Sequence, residues 1–196
     1  MTSLFAPQHG HFRFESGHHS SQWLELETLF LEPARIEPFA GELAQRLASR
    51  EIEAVCGPLV EGAFLALLVA RRLGVPFTYS ERIETGSGAL YPIAYRIPRA
   101  QHRHLCGKRV AIVNDVISAG SAVGRTALHL DECGATTAAI AALLVLGDWT
   151  ARFAAERNLA VESLERRPLE IWKPEECPLC ASGVPLTDIR EVDGHQ

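Results

Sequence analysis

Lys108-Arg-Val-Ala-Ile-Val-Asn-Asp-Val-Ile-Ser-Ala-Gly-Ser-Ala-Val-Gly-Arg-Thr-Ala-Leu-His-Leu-Asp-Glu-Cys-Gly134 is the stretch that decides the fold. Residues 109–113 form a β-branched apolar run too short for a helix, which reads as a buried strand. Residues 114–121 are small and polar. Residues 121–133 have the spacing of a helix, with Val123, Ala127, Leu128 and Leu130 on one side and Arg125, His129 and Asp131 on others; Gly134 stops it. Strand, small-residue loop and helix make half of an α/β unit, and ligands bind where such strands end.

The loop has a physical task. Ser118, Gly120 and Ser121 are small enough for backbone amides to approach an anion, and the helix starting near Ser121 directs its free N–H groups and positive dipole end to the same place. The two serines add hydroxyl donors, so the nest suits a phosphate monoester. Asp115, just beyond the strand, is placed to bind sugar hydroxyls or water on a magnesium ion. An ordinary strand end followed by a capped helix has the same spacing.

The stretch resembles the phosphoribosyl-pyrophosphate (PRPP) motif of type I phosphoribosyltransferases: an apolar strand, two acids, two apolar residues and a Thr/Ser-rich loop around a glycine. Three further segments are similar to the orotate branch. Gly10-His-Phe-Arg-Phe-Glu-Ser-Gly-His-His-Ser-Ser21 is like its N-terminal segment, and Gly57-Pro-Leu-Val-Glu-Gly-Ala63 stands where it has a pyrophosphate loop. Glu176-Cys-Pro-Leu-Cys-Ala-Ser-Gly-Val-Pro-Leu186 is like the tail of one bacterial and archaeal branch.

The resemblance implies an α/β fold with a central, mostly parallel sheet flanked by helices, a small hood and a flexible flap hairpin. One domain would span residues 1–196, with the hood drawn from about 10–31 and 160–190 and the core from about 34–147. It implies transfer of ribose 5-phosphate from PRPP to a base, orotate above all, in pyrimidine nucleotide synthesis. Magnesium would arrive with PRPP, and the homodimer would share its flap. Asn114, Asp115, Val116, Ile117, Ser118, Ala119, Gly120, Ser121 and Ala122 would hold ribose and 5-phosphate; Gly57, Pro58, Glu61 and Gly62 would cradle pyrophosphate; Ser118 and Phe14 would meet the base. Asp115 and Arg82 would act in catalysis.

The chain departs from that pattern at functional positions. Glu15 replaces a lysine, Glu61 a glycine and Asn114 the first acid of the motif. An amide still hydrogen-bonds hydroxyls but brings no charge. The flap's lysines have no counterpart; Arg96 and Arg99 are possible substitutes. Gly147-Asp148-Trp149 stands where an arginine would grip the orotate carboxylate, with Arg152 a few residues later. A transferase for another base, or a binding protein without catalysis on the same scaffold, fits these departures too.

Composition narrows the classes. The 196 residues suffice for a sizeable core, with 47% hydrophobic and 22% charged residues. A net charge of −5 without a basic stripe argues against nucleic acid. The apolar runs at 63–70 and 138–146 are too short to span a membrane, and no signal pattern opens the chain, so the expected place is the cytoplasm. No Gly-x-Gly-x-x-Gly opens a helix after a strand, which excludes a dinucleotide-binding oxidoreductase.

Of five cysteines only Cys177 and Cys180 form a Cys-x-x-Cys pair, with Pro178 favouring a turn between them. A zinc site usually needs four ligands, and the sequence contains no second such pair. His11, His18 and His19 have the spacing of neither a helix-borne pair nor a hairpin site. No metal site is therefore assigned to the protein itself, and the cysteines are read as reduced thiols.

The remaining elements follow from periodicity and breakers. Residues 1–9 are read as loose, 34–50 and 62–73 as helices, and 53–57 and 74–79 as strands. Gly86, Ser87 and Gly88 form the tip of the flap, and Gln101-His-Arg-His104 is a solvated loop. Residues 135–146 are a strand covered on both faces. A short helix at 149–158 and strands at 160–164 and 169–172 follow, and 191–196 is a polar end.

Overall fold

The computed structural model describes residues 7–24, 26–84 and 93–188. The flap tip at Gly86–Gly88 and the polar end at 191–196 lie outside the described residues.

Two sheets divide the work. The larger has six strands in the order β5-β4-β3-β6-β7-β8: β3 (Ala54–Pro58), β4 (Phe77–Glu84), β5 (Ile93–Arg96), β6 (Arg109–Ile117), β7 (Thr136–Leu146) and β8 (Ala160–Arg167). All neighbouring pairs are parallel except β4 with β5, which form an antiparallel edge hairpin with Arg82 opposite Tyr95. The smaller sheet, the hood, runs β10-β1-β2-β9 from β1 (Gln8–Arg13), β2 (His19–Trp23), β9 (Ile171–Trp172) and β10 (Thr187–Asp188). The hood thus joins the two ends of the described chain.

Helices cover the larger sheet on both faces. On one face α1 (Glu27–Phe30), α2 (Pro33–Leu47) and α3 (Glu61–Leu73) bury Leu29, Ile36, Leu43, Leu47, Leu65 and Val69 against Val113 and Leu143. In α2 the buried residues Ile36, Ala40, Leu43, Ala44 and Leu47 keep the three-and-four spacing of an amphipathic helix. On the other face α5 (Ser121–Glu132) packs Val123, Ala127 and Leu130 onto Ile112, Ile140 and Val145, and α6 (Trp149–Arg157) adds Trp149 and Phe153. Being covered on both faces, β7 reads Thr-Thr-Ala-Ala-Ile-Ala-Ala-Leu-Leu-Val-Leu without a charge.

Several expectations change. β6 runs on to Ile117, because pairing with β7 continues as far as Ile117 opposite Val145. The turn between β6 and α5 is therefore only Ser118–Gly120, and the Ile117 side chain lies in the core, 2% exposed. Gly57 and Pro58 belong to β3, all of it buried, and Gly57 is there because a Cβ would lie 2.4 Å from the Gly62 carbonyl. β8, expected in the hood, is an edge of the larger sheet, while the α1 segment packs into its core through Leu26 and Leu29. Gln8 already opens a strand, and residues 102–105 are not loop but one turn of helix, α4 (His102–Leu105), anchored by buried Leu105.

Candidate active site

The carboxyl ends of β3, β6 and β7 meet beneath the hood and leave a cleft of about 200 Å³. Asp115, Val116 and Ser118 come from the β6 end, Glu61 from the start of α3, and Phe14 and Trp23 from the hood. The rings of Phe14 and Trp23 are 5.9 Å apart and close one wall. Leu146 and Leu169 complete an apolar end suited to the face of a flat ring. Phe14, Asp115, Val116, Ser118 and Glu61, all singled out in the sequence, therefore do converge.

The turn after β6 is built for an anion. Gly120 sits at φ +76°, a left-handed conformation, and opens α5 with no side-chain cap on the first turn and no acid in it. Amides at the helix start are thus left for a ligand. A Cβ on Gly120 would lie 2.1 Å from the indole of Trp149, which stacks at 4.7 Å on Phe153. Trp149 therefore holds the loop from outside, a role its position two residues after Gly147 did not disclose.

Asn114 is mostly buried. Its amide donates to the Val116 carbonyl at 2.8 Å, and its Oδ1 faces Gly62 so closely that a Cβ there would lie 2.1 Å away. The side chain braces β6 against the start of α3. Charge at the end of β6 rests on Asp115, its neighbour on the alternate face.

Glu15 is neither loose nor alone. It accepts hydrogen bonds from Tyr95 Oη (2.9 and 3.1 Å), Arg82 Nε (3.1 Å) and Ser121 Oγ (3.1 Å). Burial first, then the Glu15 charge and hydrogen bond, push the Tyr95 phenol well above its ordinary pKa, so Tyr95 is the donor. Glu15 thereby ties the hood turn to the base of the flap and to the first residue of α5. Arg82 is half-exposed and already neutralised by this acid.

Among the described residues that line the cleft there is no lysine or arginine. Arg152 pairs with Asp148 on exposed surface at 3.3 Å, and Arg96 stands opposite Glu81 on the edge hairpin. Glu61 is among the residues that line the cleft. Glu61→Gln should tighten binding of an anionic ligand such as inorganic pyrophosphate roughly fivefold, since like unit charges some 4 Å apart in water cost about 1 kcal/mol. Titration calorimetry of the two proteins at saturating magnesium checks it.

The structure also joins residues that the sequence left apart. His11 and His19 in the hood lie against Cys177 and Cys180 of the tail, with their ligand atoms within 4.8 Å of one another. Counting cysteine pairs missed this because the hood sheet brings together partners 166 residues apart.

A family model for the phosphoribosyl transferase domain matches residues 23–179. Among curated relatives, the orotate phosphoribosyltransferase of Thermotoga maritima is 32% identical over 90% of this chain and 87% of its own. That of Caldanaerobacter subterraneus is 29% identical over 90% and 86%. Among solved structures, the orotate phosphoribosyltransferase of Aeropyrum pernix aligns with a TM-score of 0.61 at 23% identity, covering 82% of this chain and 88% of that one. The adenine phosphoribosyltransferase of Giardia lamblia, complexed with 9-deazaadenine, aligns at 0.67 and 16% identity, covering 84% and 94%. Among the described residues no helix is long and apolar enough to cross a membrane.

Proposed function

The chain belongs to the phosphoribosyl transferase family, and from that premise we propose that it transfers ribose 5-phosphate from PRPP to orotate. The C1–O bond to pyrophosphate breaks and a bond from C1 to the ring nitrogen forms, giving orotidine 5′-phosphate and pyrophosphate. One observation carries the reading: Asp115, near the end of β6, and Ser118, in the turn ahead of α5, line the same cleft as Phe14 of the hood.

Each part has a task in that reaction. The amides at the start of α5, that of Ser121 among them, hold the 5-phosphate with the Ser118 hydroxyl. Asp115 holds the ribose hydroxyls and lies near C1, where its negative charge favours a centre that becomes cationic as the C1–O bond lengthens. PRPP enters as its magnesium complex, and Asp115 offers the hard oxygen that such a complex accepts. Phe14 and Leu146 clasp the faces of the base and keep water from C1. Arg82, at the foot of the flap hairpin, exchanges Glu15 for the departing pyrophosphate.

Arg82→Ala should lower kcat at least about tenfold while leaving the affinity for PRPP within roughly twofold, the pattern of a group used in the transition state. Steady-state kinetics together with calorimetry check both halves. We further propose a cytoplasmic homodimer in which the flap of one subunit reaches the cleft of the other; light scattering that finds only monomer contradicts this.

A second reading rests on the charge of the cleft. Glu61 and Asp115 line it and no described cation does, which suits a neutral base better than a carboxylate. Assaying pyrophosphate release with PRPP, magnesium and each of orotate, uracil, adenine, guanine and hypoxanthine separates the two. Orotate as the preferred acceptor supports the main reading, and a neutral base in its place supports the second.

A further inference from the structure

We propose that His11, His19, Cys177 and Cys180 form a structural zinc site that fastens the C-terminal segment to the hood. His11 is on β1 and His19 on β2. Cys177 precedes the first turn of α7 (Pro178–Ala181), and Cys180 lies within it. The cluster is distinct from the cleft and does not depend on which base is used.

The distances are those of a coordination polyhedron. His11 Nε2 is 3.2 Å from His19 Nδ1, 3.4 Å from Cys177 Sγ and 3.7 Å from Cys180 Sγ, and Cys180 Sγ is 3.3 Å from His19 Nδ1. Tetrahedral zinc, with bonds of about 2.0–2.1 Å to nitrogen and about 2.3 Å to sulfur, gives edges of about 3.3 Å between nitrogens and about 3.6 Å between nitrogen and sulfur. Four of the six edges lie close to this pattern, and all four ligand atoms are within 4.8 Å of one another.

The tautomer agrees. His11 Nδ1 lies 2.8 Å from the Val184 carbonyl, so that nitrogen carries the proton and donates it. Nε2 of the neutral ring is then a lone pair, and it is the atom facing the other three groups. A backbone carbonyl orienting a ligand histidine through its far nitrogen is the usual support of a metal site. His11, His19 and Cys177 are 2%, 4% and 3% exposed, a buried polar set with no other shared partner that would explain its convergence.

A second histidine–cysteine group shows what a structural cluster looks like by comparison. His102, His129 and Cys133 also lie close together. There, however, His129 Nδ1 accepts from the Ile97 amide at 3.0 Å and His102 Nε2 lies 2.9 Å from the Ile97 carbonyl. His129 Nδ1 is thus occupied by the Ile97 amide and its other nitrogen carries the proton, so His129 has no lone pair to turn to a centre shared with His102 and Cys133.

The fold also needs a fastener at this place. From Lys173 to Asp188 only Cys177 and Asp188 are buried, so the tail has little apolar surface with which to hold itself. Its two-residue strands cannot do so alone. The Arg13–Asp188 ion pair secures one point, and the cluster secures another. Nitrogen and thiolate donors select zinc over magnesium or calcium, and four protein ligands close the site to substrate. On binding, the two thiols release their protons and the two thiolates balance the charge of the ion. The turn carrying Phe14 and Glu15 lies between the two histidine-bearing strands, so the metal also steadies the wall of the cleft.

The test uses the full chain, purified without a polyhistidine tag from zinc-supplemented cells. Elemental analysis should find about one zinc per chain, falling to under about a tenth in Cys177→Ser/Cys180→Ser, as loss of half of a four-ligand site requires. Should that variant fail to fold, the wild type still decides. After chelation, cobalt(II) should bind with visible bands of a tetrahedral ion and near-ultraviolet thiolate charge transfer, and zinc but not magnesium should restore the melting temperature. Wild type that holds no zinc and gives no such cobalt spectrum overturns the proposal, as does a Cys177–Cys180 disulfide in freshly purified protein.

Discussion

Asp115→Asn should reduce turnover by on the order of 10²–10³ while the melting temperature stays put, the size of effect seen when one transition-state electrostatic partner is removed. The change keeps shape and hydrogen-bonding capacity and removes only charge. That charge has no replacement at the end of β6, since Asn114 has none and its amide is bound to the Val116 carbonyl. Glu61 lines the cleft from α3, at the other strand–helix unit, and not from the end of β6. A loss confined to kcat/KM with a matching loss in PRPP affinity would assign Asp115 to ground-state binding; a loss mainly in kcat assigns it to the transition state. Steady-state kinetics with thermal melts of both proteins decide. Unchanged turnover would remove Asp115 from the site.

Gly120→Ala is expected to be nearly as severe, through structure rather than charge. A left-handed conformation costs an alanine roughly 1–2 kcal/mol, and here the methyl would also enter the Trp149 ring, 2.1 Å from the nearest carbons. Overpacking of this kind adds about 1–3 kcal/mol. For a chain of this size the sum lowers the melting temperature by roughly 4–20 °C. If the loop shifts to relieve the strain, the amides at the start of α5 no longer converge, and PRPP affinity should fall at least about tenfold, a loss of about 1.4 kcal/mol. Adding Trp149→Ala should recover part of the stability by removing the clash. It should not recover all of it, because φ stays positive. Differential scanning calorimetry of the single and double variants separates the two contributions.

How much of this was legible in the sequence depends on the range of the interactions. The β6–turn–α5 unit was readable because its signals are local: an uncharged apolar run, small residues and a helical period ended by Gly134. Even there the strand was read too short, since Asn114 and Asp115 look like loop residues. Pairing with β7 carries the strand through them. The α3 unit was equally local, but the packing of Gly57 against the carbonyl of Gly62, which leaves no room for a Cβ, has no signal in the sequence.

Long-range features were not legible. The charge of Glu15 looked misplaced until Arg82, Tyr95 and Ser121, from 67 to 106 residues away, closed around it. Trp149 could not be linked to Gly120 by any periodicity. The histidines of the hood and the cysteines of the tail showed no ligand spacing because the spacing exists only across the hood sheet. One signal was available: a Cys-x-x-Cys tail and two histidines on adjacent strands are half-sites that each lack two ligands. Assigning β8 to the larger sheet likewise required its pairing with β7, since its alternation suits either sheet.

The phosphate nest at the start of α5 is the centre of the account, and titration calorimetry with the magnesium complex of PRPP tests it most directly. The expected result is saturable binding of one PRPP per chain, weakened at least about tenfold by Gly120→Ala. No binding by the wild type, or binding that Gly120→Ala leaves unchanged, would contradict it.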